Sequence, residues 1–454
     1  MPSAPDVHPG SLRSELRATL ALAAPAVAQS LLQTLVFLAD RFFLGRFSAD
    51  ALAAMQIAGP LTWTLQSVFG AFATGTLALV GRAVGARDPA LAGSALRASV
   101  GIAVLLGAAV GLAGTLGLHA LVGALAGAAS SPVREAAIGY LGVVLPAMPV
   151  LFVAMVCTTA LQASGDTRTP LAIALVTNAV NLGLNGLLIF GNLGCPRLGA
   201  RGAAIANVTA LSVEMLLGLA ALADVRRPAS LRGAPWTGTV AALRRLAAVS
   251  TGAFAERAIY HAGYLVFVRI TNGLGAAPMA AHQALLSMES VSFLSADGFG
   301  VAAGARAAQR LGAGDAVGAR RAGWIATGAS TAIVGVVAMA LWAGAPFVLA
   351  ATLTSPTAVR AGLDAMLPCA LAQVPMAASI VLLQSLRGAG ATREAFAIAL
   401  AGSFVVRIAA TWACVDVLHL GLAGVWFGSG ADWLVRMLLA VWRWRRGRWS
   451  RTRV

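Results

Sequence analysis

The chain alternates between long apolar stretches and short polar segments over nearly its whole length. Each apolar stretch has at least the roughly 20 residues that an α-helix needs to cross the core of a bilayer. The pattern predicts twelve transmembrane helices, at residues 18–44, 51–80, 98–118, 136–162, 170–190, 202–223, 242–270, 278–303, 322–346, 361–386, 394–415 and 421–442.

Composition supports an all-α integral membrane protein. Of the 454 residues, 59% are hydrophobic and 11% are charged, with a mean hydropathy of +0.81. A soluble domain carries roughly 25% charged residues. Twelve spans and their loops use almost all of the chain, so the composition leaves no room for a soluble domain.

An internal repeat organises the twelve helices. A shift of 227 residues places Gln56 on Gln283 and Asp88 on Asp315. Further along, a shift of 222 residues places Gln162 on Gln384. An even number of helices in each copy predicts a parallel repeat, related by a rotation of roughly 180° about the membrane normal.

The repeat predicts two pseudo-symmetric six-helix lobes. We expect an N-terminal lobe over residues 1–223, a linker over 224–241, a C-terminal lobe over 242–445 and a basic tail over 446–454. Two lobes that rock around a central site are a common design for alternating access in transporters. A channel or a membrane enzyme would leave this repeat unexplained.

The positive charge follows the predicted topology. All 33 basic residues are arginine. When arginines in the terminal turn of a span are counted with the adjoining loop, 23 belong to the N-terminus, the even-numbered loops and the C-terminus, seven to the odd-numbered loops, and three (Arg257, Arg407 and Arg436) to span interiors. The positive-inside rule then predicts that both termini are cytoplasmic, in an inner (plasma) membrane. The tail from Arg443 to Arg453, with its tryptophans, indicates an anchor near anionic lipid headgroups. We therefore expect membrane lipids, and not nucleic acid, as partners of the net +16 charge.

The sequence offers no sign of enzymatic chemistry. The four cysteines, Cys157, Cys195, Cys369 and Cys414, have no metal-ligand spacing, and the five histidines are scattered. We expect no enzyme activity, no bound metal and no organic cofactor.

The first predicted helix carries a polar stripe. Gln29, Gln33, Val36 and Asp40 are spaced by 4, 3 and 4 residues, which places them on one helix face. An ionisable group inside a membrane is costly and is a functional candidate by default. Asp40 is the best candidate for a carboxylate that loads and releases a coupling ion, and Gln29 and Gln33 are candidates for a substrate cavity. The alternative is that Asp40 pairs with Arg41 or Arg46 at the interface.

The fifth predicted helix presents Asn178, Asn181 and Asn185 on one face, spaced by 3 and 4 residues. Asparagine can hydrogen-bond a carboxylate, a bound ion or water without adding charge. The alternative is that these amides only join neighbouring helices.

The second half has its own buried ionisable candidates, Glu256, Glu289 and Arg407. Tyr260, one turn after Glu256, is a further candidate for a substrate cavity. A structural ion pair between Arg407 and one of the two acids explains these residues equally well, because buried charges are usually paired.

Several motifs resemble the multidrug and toxic compound extrusion (MATE) family. They are Leu31-Leu32-Gln33-Thr34-Leu35 through Asp40 to Gly45, Ala51-Leu52-Ala53-Ala54, Gly165-Asp166-Thr167-Arg168-Thr169-Pro170, the asparagine-rich fifth helix, and Pro278-Met279-Ala280-Ala281-His282-Gln283, which is similar to the DinF branch. The resemblance covers essentially the whole chain. It implies a V-shaped, monomeric twelve-helix antiporter that exports amphipathic or cationic compounds in exchange for H⁺ or Na⁺.

The resemblance also assigns roles to individual residues. It implies that the first-helix Asp40 is the coupling acid, that Asn207 completes the site with the fifth-helix asparagines, and that Glu256 matches an acid of the NorM branch. The family often has an aspartate where this chain has Asn185. This departure leaves Asp40 as the only acid that we identify in the N-terminal lobe, which favours a proton over sodium.

A lipid-linked oligosaccharide or polysaccharide flippase of the same superfamily is the alternative function. Such proteins resemble this chain but usually have extra helices and a cavity lined by several arginines. Here 30 of the 33 arginines lie outside the span interiors. The sequence therefore favours multidrug export and does not name the exported compound.

Overall fold

The structure is a computed structural model that describes residues 12–126, 130–232, 238–353 and 355–452. These residues form helices and short connections, with no β-strand among them. The α-helices are α1 (Leu12–Phe47), α2 (Ala49–Gly85), α3 (Pro89–Leu116), α4 (Leu118–Ala126), α5 (Ser131–Val144), α6 (Met148–Ala163), α7 (Arg168–Leu188), α8 (Ala200–Ala223), α9 (Thr239–Asn272), α10 (Ala276–Gly312), α11 (Ala316–Thr352), α12 (Pro356–Gly388), α13 (Thr392–Ala399), α14 (Arg407–Trp412) and α15 (Gly421–Arg446).

The predicted all-helical fold with twelve spans is confirmed. Eight of the described helical segments are long and apolar enough to cross a membrane, and α5 with α6 makes a ninth that is bent by 57°. The remaining three predicted spans fall on α9, α10 and α15, which are 34, 37 and 26 residues long and carry buried charged side chains, among them Glu256, Arg306 and Asp432. These charged residues lower the mean hydropathy of the three helices.

The predicted span 136–162 is interrupted at Pro146, which lies between α5 and α6. Proline lacks the backbone N–H of a helix interior and its ring clashes with the preceding turn, which explains the bend. The predicted span 394–415 is continuous, but two π-helical segments, Leu400–Val406 and Ala413–Val417, flank α14. Helix α3 begins nine residues before the predicted 98, and Arg97 in that extension donates to the carbonyl of Leu231 at 3.1 Å.

The repeat is visible in the local structure of two helix starts. Asp88 and Asp315, which are equivalent at the shift of 227, are the N-caps of α3 and α11. Asp88 accepts from the backbone N–H of Leu91 at 2.9 Å, and Asp315 accepts from that of Gly318 at 2.7 Å. The residues just before them, Arg87 and Gly314, both have left-handed backbone conformations, with φ of 55° and 78°. Equivalent sequence positions therefore adopt the same unusual turn.

Contacts between residues divide the chain into two compact units. One unit contains Ala28–Arg257, and the other contains Met1–Val27 with Ala258–Val454. The boundaries lie inside α1 and α9, at nearly equivalent positions of the repeat. The boundary between the units therefore does not fall in the linker 224–241. The predicted lobes, 1–223 and 242–445, stay a prediction from the repeat.

The early turns of α1 and α9 explain these boundaries. Glu15 in α1 is buried and pairs with Arg306 and Arg310 of α10, within the unit that contains the C-terminal helices. In the other unit, α2 and α9 pack so closely that a methyl group on Gly75 would lie 2.5 Å from the hydroxyl oxygen of Ser250. The first part of each of the two helices therefore packs with the helices of the opposite sequence half.

Candidate functional site

A cavity of about 330 Å³ lies within the unit of residues 28–257, between helices α1, α2, α6, α7 and α8. It combines an apolar wall with a concentration of amides and carboxylates. Its lining residues are Gln33, Val36, Asp40, Gln66, Leu151, Ala154, Met155, Thr177, Asn178, Asn181, Asn207, Ala210, Leu211 and Glu214. The first-helix stripe and the fifth-span asparagines thus meet at one cavity.

Asp40 is linked to two asparagines of α7. The side-chain N–H₂ of Asn185 donates to Oδ1 of Asp40 at 2.5 Å and to Oδ1 of Asn181 at 2.9 Å. Asn181 and Asn185 are one helical turn apart, which brings their amides together on the buried face of α7. Asn185 is completely buried, and its own Oδ1 has no hydrogen-bond partner in the described structure. Asp40 thus pairs with a neutral amide and not, as in the alternative, with Arg41 or Arg46.

Three other predicted residues also line this cavity. They are Gln33, Asn178 and Asn207. The side-chain N–H₂ of Asn178 donates to the backbone carbonyl of Leu32 in a long hydrogen bond of 3.4 Å. Asn207 at the start of α8 hydrogen-bonds to Tyr140. The sequence thus identified six of the polar residues around this cavity.

Gln29, which was predicted to line a substrate cavity, is not among the residues that line this one. Its side chain is buried, and its Oε1 accepts from Nε2 of Gln162 at 3.1 Å. Gln29 lies on the predicted stripe, but its amide joins α1 to α6. The described contact is therefore between helices and not with the cavity.

The prediction that Asp40 is the only acid of the first lobe is wrong. Glu214 of α8 lines the same cavity, and the hydroxyl of Thr158 donates to its Oε1 at 3.2 Å. Glu214 follows Asn207 by seven residues, which is two helical turns, or about 10 Å along α8 on the same face. That spacing was present in the sequence and could have identified Glu214. Gln66 and Thr177 are two further polar residues of the cavity that the sequence analysis missed.

The buried charges of the other unit form an ion cluster. Asp432 of α15 is completely buried, accepts from Nε of Arg407 at 2.8 Å and from Nε of Arg436 at 2.6 Å. Arg407, which was predicted to pair with Glu256 or Glu289, forms an ion pair with Asp432, a residue that the sequence analysis missed. The spacing of four residues between Asp432 and Arg436 is the signal that could have found it.

The other candidates from the second half of the sequence, Glu289, Glu256 and Tyr260, have different surroundings. Glu289 of α10 lies close enough to Arg407 and Arg436 to interact with their charges. Glu256 is buried but belongs to the unit of residues 28–257, because it precedes the boundary inside α9. The side chain of Tyr260 lies outside the described part of the structure.

Arg407 follows directly after the π-helical segment Leu400–Val406. Such segments contain an extra residue per turn, re-aim the side chains that follow, and are frequent at functional sites. The close packing is visible at Gly402 in this segment, because a methyl group there would overlap Arg436 and Asp432. The π segment thus lets the backbone approach the ion cluster.

A larger cavity of about 920 Å³ lies along α11, α12 and α15. Its walls are almost entirely apolar, and no acid, arginine or histidine is among the described residues that line it. A surface of this kind on membrane-spanning helices fits lipid chains. The candidate site is therefore the smaller cavity, which has amides and carboxyl groups in its lining, and not the larger one.

Comparison with known proteins connects this geometry to a transporter family. The MatE family profile matches the chain twice, over residues 25–187 and 253–413, which parallels the internal repeat. A probable multidrug resistance protein NorM of Thermotoga maritima is 28% identical over 450 residues, covering 98% of this chain and 94% of that protein. The multidrug resistance protein MdtK of Edwardsiella ictaluri is 26% identical and covers 67% of each chain.

Solved structures show the same fold. An outward-facing multidrug resistance MATE family transporter of the MOP superfamily has a TM-score of 0.87 at 18% identity, with 95% of both chains covered. The Vibrio cholerae MATE transporter VcmN in its bent form also has a TM-score of 0.87 at 18% identity, with 96% of this chain and 98% of that chain covered. The two profile matches together cover well over half of the sequence. The chain is a multi-pass membrane protein and belongs to the MatE family of multidrug and toxic compound extrusion transporters.

Proposed function

We propose that this protein is a secondary active antiporter that exports amphipathic or cationic compounds in exchange for protons, with Asp40 as the coupling acid. The observation that carries the proposal is the contact of Asp40 with Asn185 at the edge of a polar cavity inside a membrane-spanning unit. Relatives named multidrug resistance proteins support the export of drugs.

The hydrogen bonds around Asp40 suggest how protonation acts on the protein. An ionised Asp40 accepts from the Asn185 amide, as in the structure. A protonated Asp40 has an O–H that must donate, and Oδ1 of Asn185 is a buried acceptor without a partner. Proton loading would therefore exchange one arrangement of α1 and α7 for another. A drug that binds these two arrangements with different affinities becomes coupled to the proton.

The ligand set favours a proton over sodium. A hard cation prefers several carboxylate and carbonyl oxygens around it. Within hydrogen-bond distance, Asp40 has one neutral amide, and the second acid, Glu214, bonds to Thr158. Over the described residues, no group of three or more acidic, histidine or cysteine side chains converges. A single carboxylate beside amides suffices for a proton.

The cavity also suits an amphipathic cation. Its volume of about 330 Å³ is at the lower end for small-molecule sites, which are largely apolar with a few placed polar groups. Leu151, Met155 and Leu211 contribute apolar surface, while Glu214 contributes a carboxyl group. No arginine is among its described lining residues, so the cavity offers no guanidinium to the phosphates of a flippase substrate.

The location of the protein follows from its arginines. We propose that it lies in the inner (plasma) membrane with both termini in the cytoplasm, because the arginine-rich loops alternate with arginine-poor ones. Reporter fusions at the C-terminus test this orientation. Activity of a periplasm-specific reporter there would contradict it.

Transport by the purified protein in lipid vesicles tests the coupling proposal. A fluorescent lipophilic cation is the substrate, and a pH gradient or a sodium gradient is imposed separately. We expect the pH gradient alone to drive transport. We expect Asp40→Asn to insert and fold but to lose gradient-driven transport by about tenfold or more, the usual scale of coupling between sites. Asp40→Glu should retain part of the activity.

Glu256→Gln is the matched control, because it also removes a buried carboxylate from the same unit. It should reduce transport less than Asp40→Asn does. Normal transport by Asp40→Asn together with complete loss in Glu256→Gln would overturn the assignment of Asp40. Transport driven only by the sodium gradient would overturn the choice of proton.

A further inference from the structure

The basic tail after α15 folds back and packs against α11. Gly447 ends α15 in a left-handed conformation with φ of 69°, and a short 3₁₀ helix, Arg448–Arg451, follows. The rings of Trp444 and Trp449 stack with centroids 3.9 Å apart and planes inclined by 5°. Both side chains are buried, at 0% and 1% exposure. The tail is therefore an ordered part of the fold over these residues.

Hydrogen bonds and a glycine hold the two tryptophans in place. Nε1 of Trp449 donates to the carbonyl of Trp444 at 3.0 Å, and Nε1 of Trp444 donates to the carbonyl of Arg320 in α11 at 3.2 Å. A methyl group on Gly323 would lie 2.5 Å from the Trp444 ring, so only glycine allows this approach. The tail thus has a defined position relative to the first turns of α11.

A cavity of about 570 Å³ lies between the tail and those first turns. Two arginines and two aromatic rings dominate its chemistry, with apolar and hydroxyl groups beside them. Its lining includes Arg320, Arg321, Trp324, Ile325, Trp449 and Ser450. No acidic residue is among the described residues that line it.

The positive charge of this cavity is not neutralised by the nearest acid in the chain. Asp315 lies just before α11, but it pairs with Arg310 at 2.7 Å and caps the helix through Gly318. Over the described residues, Arg320 and Arg321 take part in no ion pair within 4.0 Å. Arg445 lies over the Trp324 ring at 5.9 Å and adds a further positive charge at the rim.

The cavity lies at the first turns of α11. This helix contains the most apolar 18-residue stretch among the described segments that could cross a membrane, with a mean hydropathy of 2.2. We expect the interface between membrane and water near this end of the helix. Tryptophan is enriched at this depth, and basic pockets beside membrane helices bind anionic headgroups. Guanidinium groups match the oxygens of a phosphate through paired N–H donors. Ile325 continues the lining toward the apolar part of the helix.

We propose that this cavity binds one anionic phospholipid, with its phosphate at Arg320 and Arg321 and its headgroup and upper chains against Trp324, Trp449 and Ile325. The site is separate from the Asp40 cavity and does not depend on the transport proposal. A general attraction of the tail to a charged surface would not need a packed tryptophan pair. A free phosphate would not need the apolar lining.

Native mass spectrometry of the delipidated full chain in detergent tests the site. The probes are phosphatidylglycerol, phosphatidylcholine with the same acyl chains, and inorganic phosphate. We expect one phosphatidylglycerol to bind in preference to phosphatidylcholine. Arg320→Gln/Arg321→Gln should weaken that binding about thirtyfold, since each basic residue contributes on the order of tenfold or less at a membrane surface.

Two further variants distinguish lipid binding at this cavity from a general attraction of the lipid to positive charge. Arg168→Gln/Arg226→Gln removes the same charge from exposed positions elsewhere and should bind the lipid like the wild type. Trp449→Ala keeps every arginine but removes the stack, and it should also weaken binding. Equal effects in the two double variants, or unchanged binding in Trp449→Ala, would overturn the proposal. Displacement of the lipid by millimolar inorganic phosphate would assign the cavity to a free anion and would likewise overturn it.

Discussion

Asp40 and Asp432 are both carboxylates on membrane-spanning helices, but their surroundings differ. Asp40 contacts the neutral amide of Asn185 beside an open cavity. Asp432 is completely buried and contacts two guanidinium groups, those of Arg407 and Arg436. Each arrangement compensates for the loss of water around a charge, one with hydrogen bonds and the other with opposite charges.

The difference is one of partners, because Asp40 has a neutral amide beside it whereas Asp432 has two guanidinium groups. Removal of the negative charge from Asp40 leaves no buried counter-charge within hydrogen-bond distance. Removal of the charge from Asp432 would take an ion-pair partner from the buried Arg436 and from Arg407. We therefore expect transport to depend on the first acid and stability to depend on the second.

The largest expected effect is on stability. Asp432→Asn should lower the free energy of unfolding by about 3–5 kcal/mol, because it removes the carboxylate of a buried ion pair with Arg436. Asp40→Asn should change it by about 1 kcal/mol or less, since an amide replaces an acid that one neutral amide contacts. Unfolding in mixed micelles with increasing dodecyl sulfate measures both. A larger loss in Asp40→Asn than in Asp432→Asn would reverse the comparison.

A second effect concerns Asn185, whose buried amide donates to Asp40. Asn185→Leu removes the donor to Asp40 and to Asn181, and it should lower the free energy of unfolding by about 1–3 kcal/mol. It should also reduce proton-driven transport, which the vesicle assay measures. Asn178→Leu is the matched control, because its only described hydrogen bond is long, at 3.4 Å. Equal losses in the two variants would contradict a special role for Asn185.

A smaller effect is expected at Glu214, the cavity acid that the sequence analysis missed. Glu214→Gln should weaken transport of a permanent cation by about tenfold, since a desolvated carboxylate can contribute on the order of 1–2 kcal/mol to binding a cation. Transport of a neutral amphipathic compound should change little. Glu135→Gln, an exposed acid of the same unit that does not line this cavity, serves as control. An equal loss for cationic and neutral compounds would exclude a role in charge recognition.

The smallest effect is expected outside the membrane spans, at the ion pair between Asp166 and Arg227. The atoms are 2.6 Å apart and both side chains are 27% exposed, so Arg227→Ala should cost about 1 kcal/mol or less. Burial alone would raise the pKa of Asp166, but hydrogen bonds from Thr169 and Arg227 lower it below its ordinary value of 3.8.

The sign of the pH effect follows from the lowered pKa. The ionised form of Asp166 stabilises the fold above pH 3.8, and this contribution is lost as the pH falls further and the carboxylate is protonated. The difference in unfolding free energy between wild type and Arg227→Ala should therefore be constant near neutral pH and shrink below about pH 4. A difference that grows on acidification would contradict this assignment.

Much of the fold was predictable from the sequence because the membrane imposes a simple rule. Each span must satisfy its backbone hydrogen bonds internally, so apolar length alone predicts helices. The repeat also predicted that Asp88 and Asp315 are equivalent, and both cap helices in the same way. Within the candidate site, helical spacing placed Gln33, Asp40 and the asparagines of α7 on cavity-facing sides.

Helical spacing by itself determined which residues share a face, but only the tertiary structure decided what that face meets. Gln29 lies on the same stripe as Asp40, yet it bonds to Gln162 of α6. Glu214 enters the cavity, and Asp432 pairs with Arg407, because α8 and α15 pack where they do. The physical reason is that a pattern within one helix determines its own faces, whereas pairings between helices depend on packing that no single helix determines.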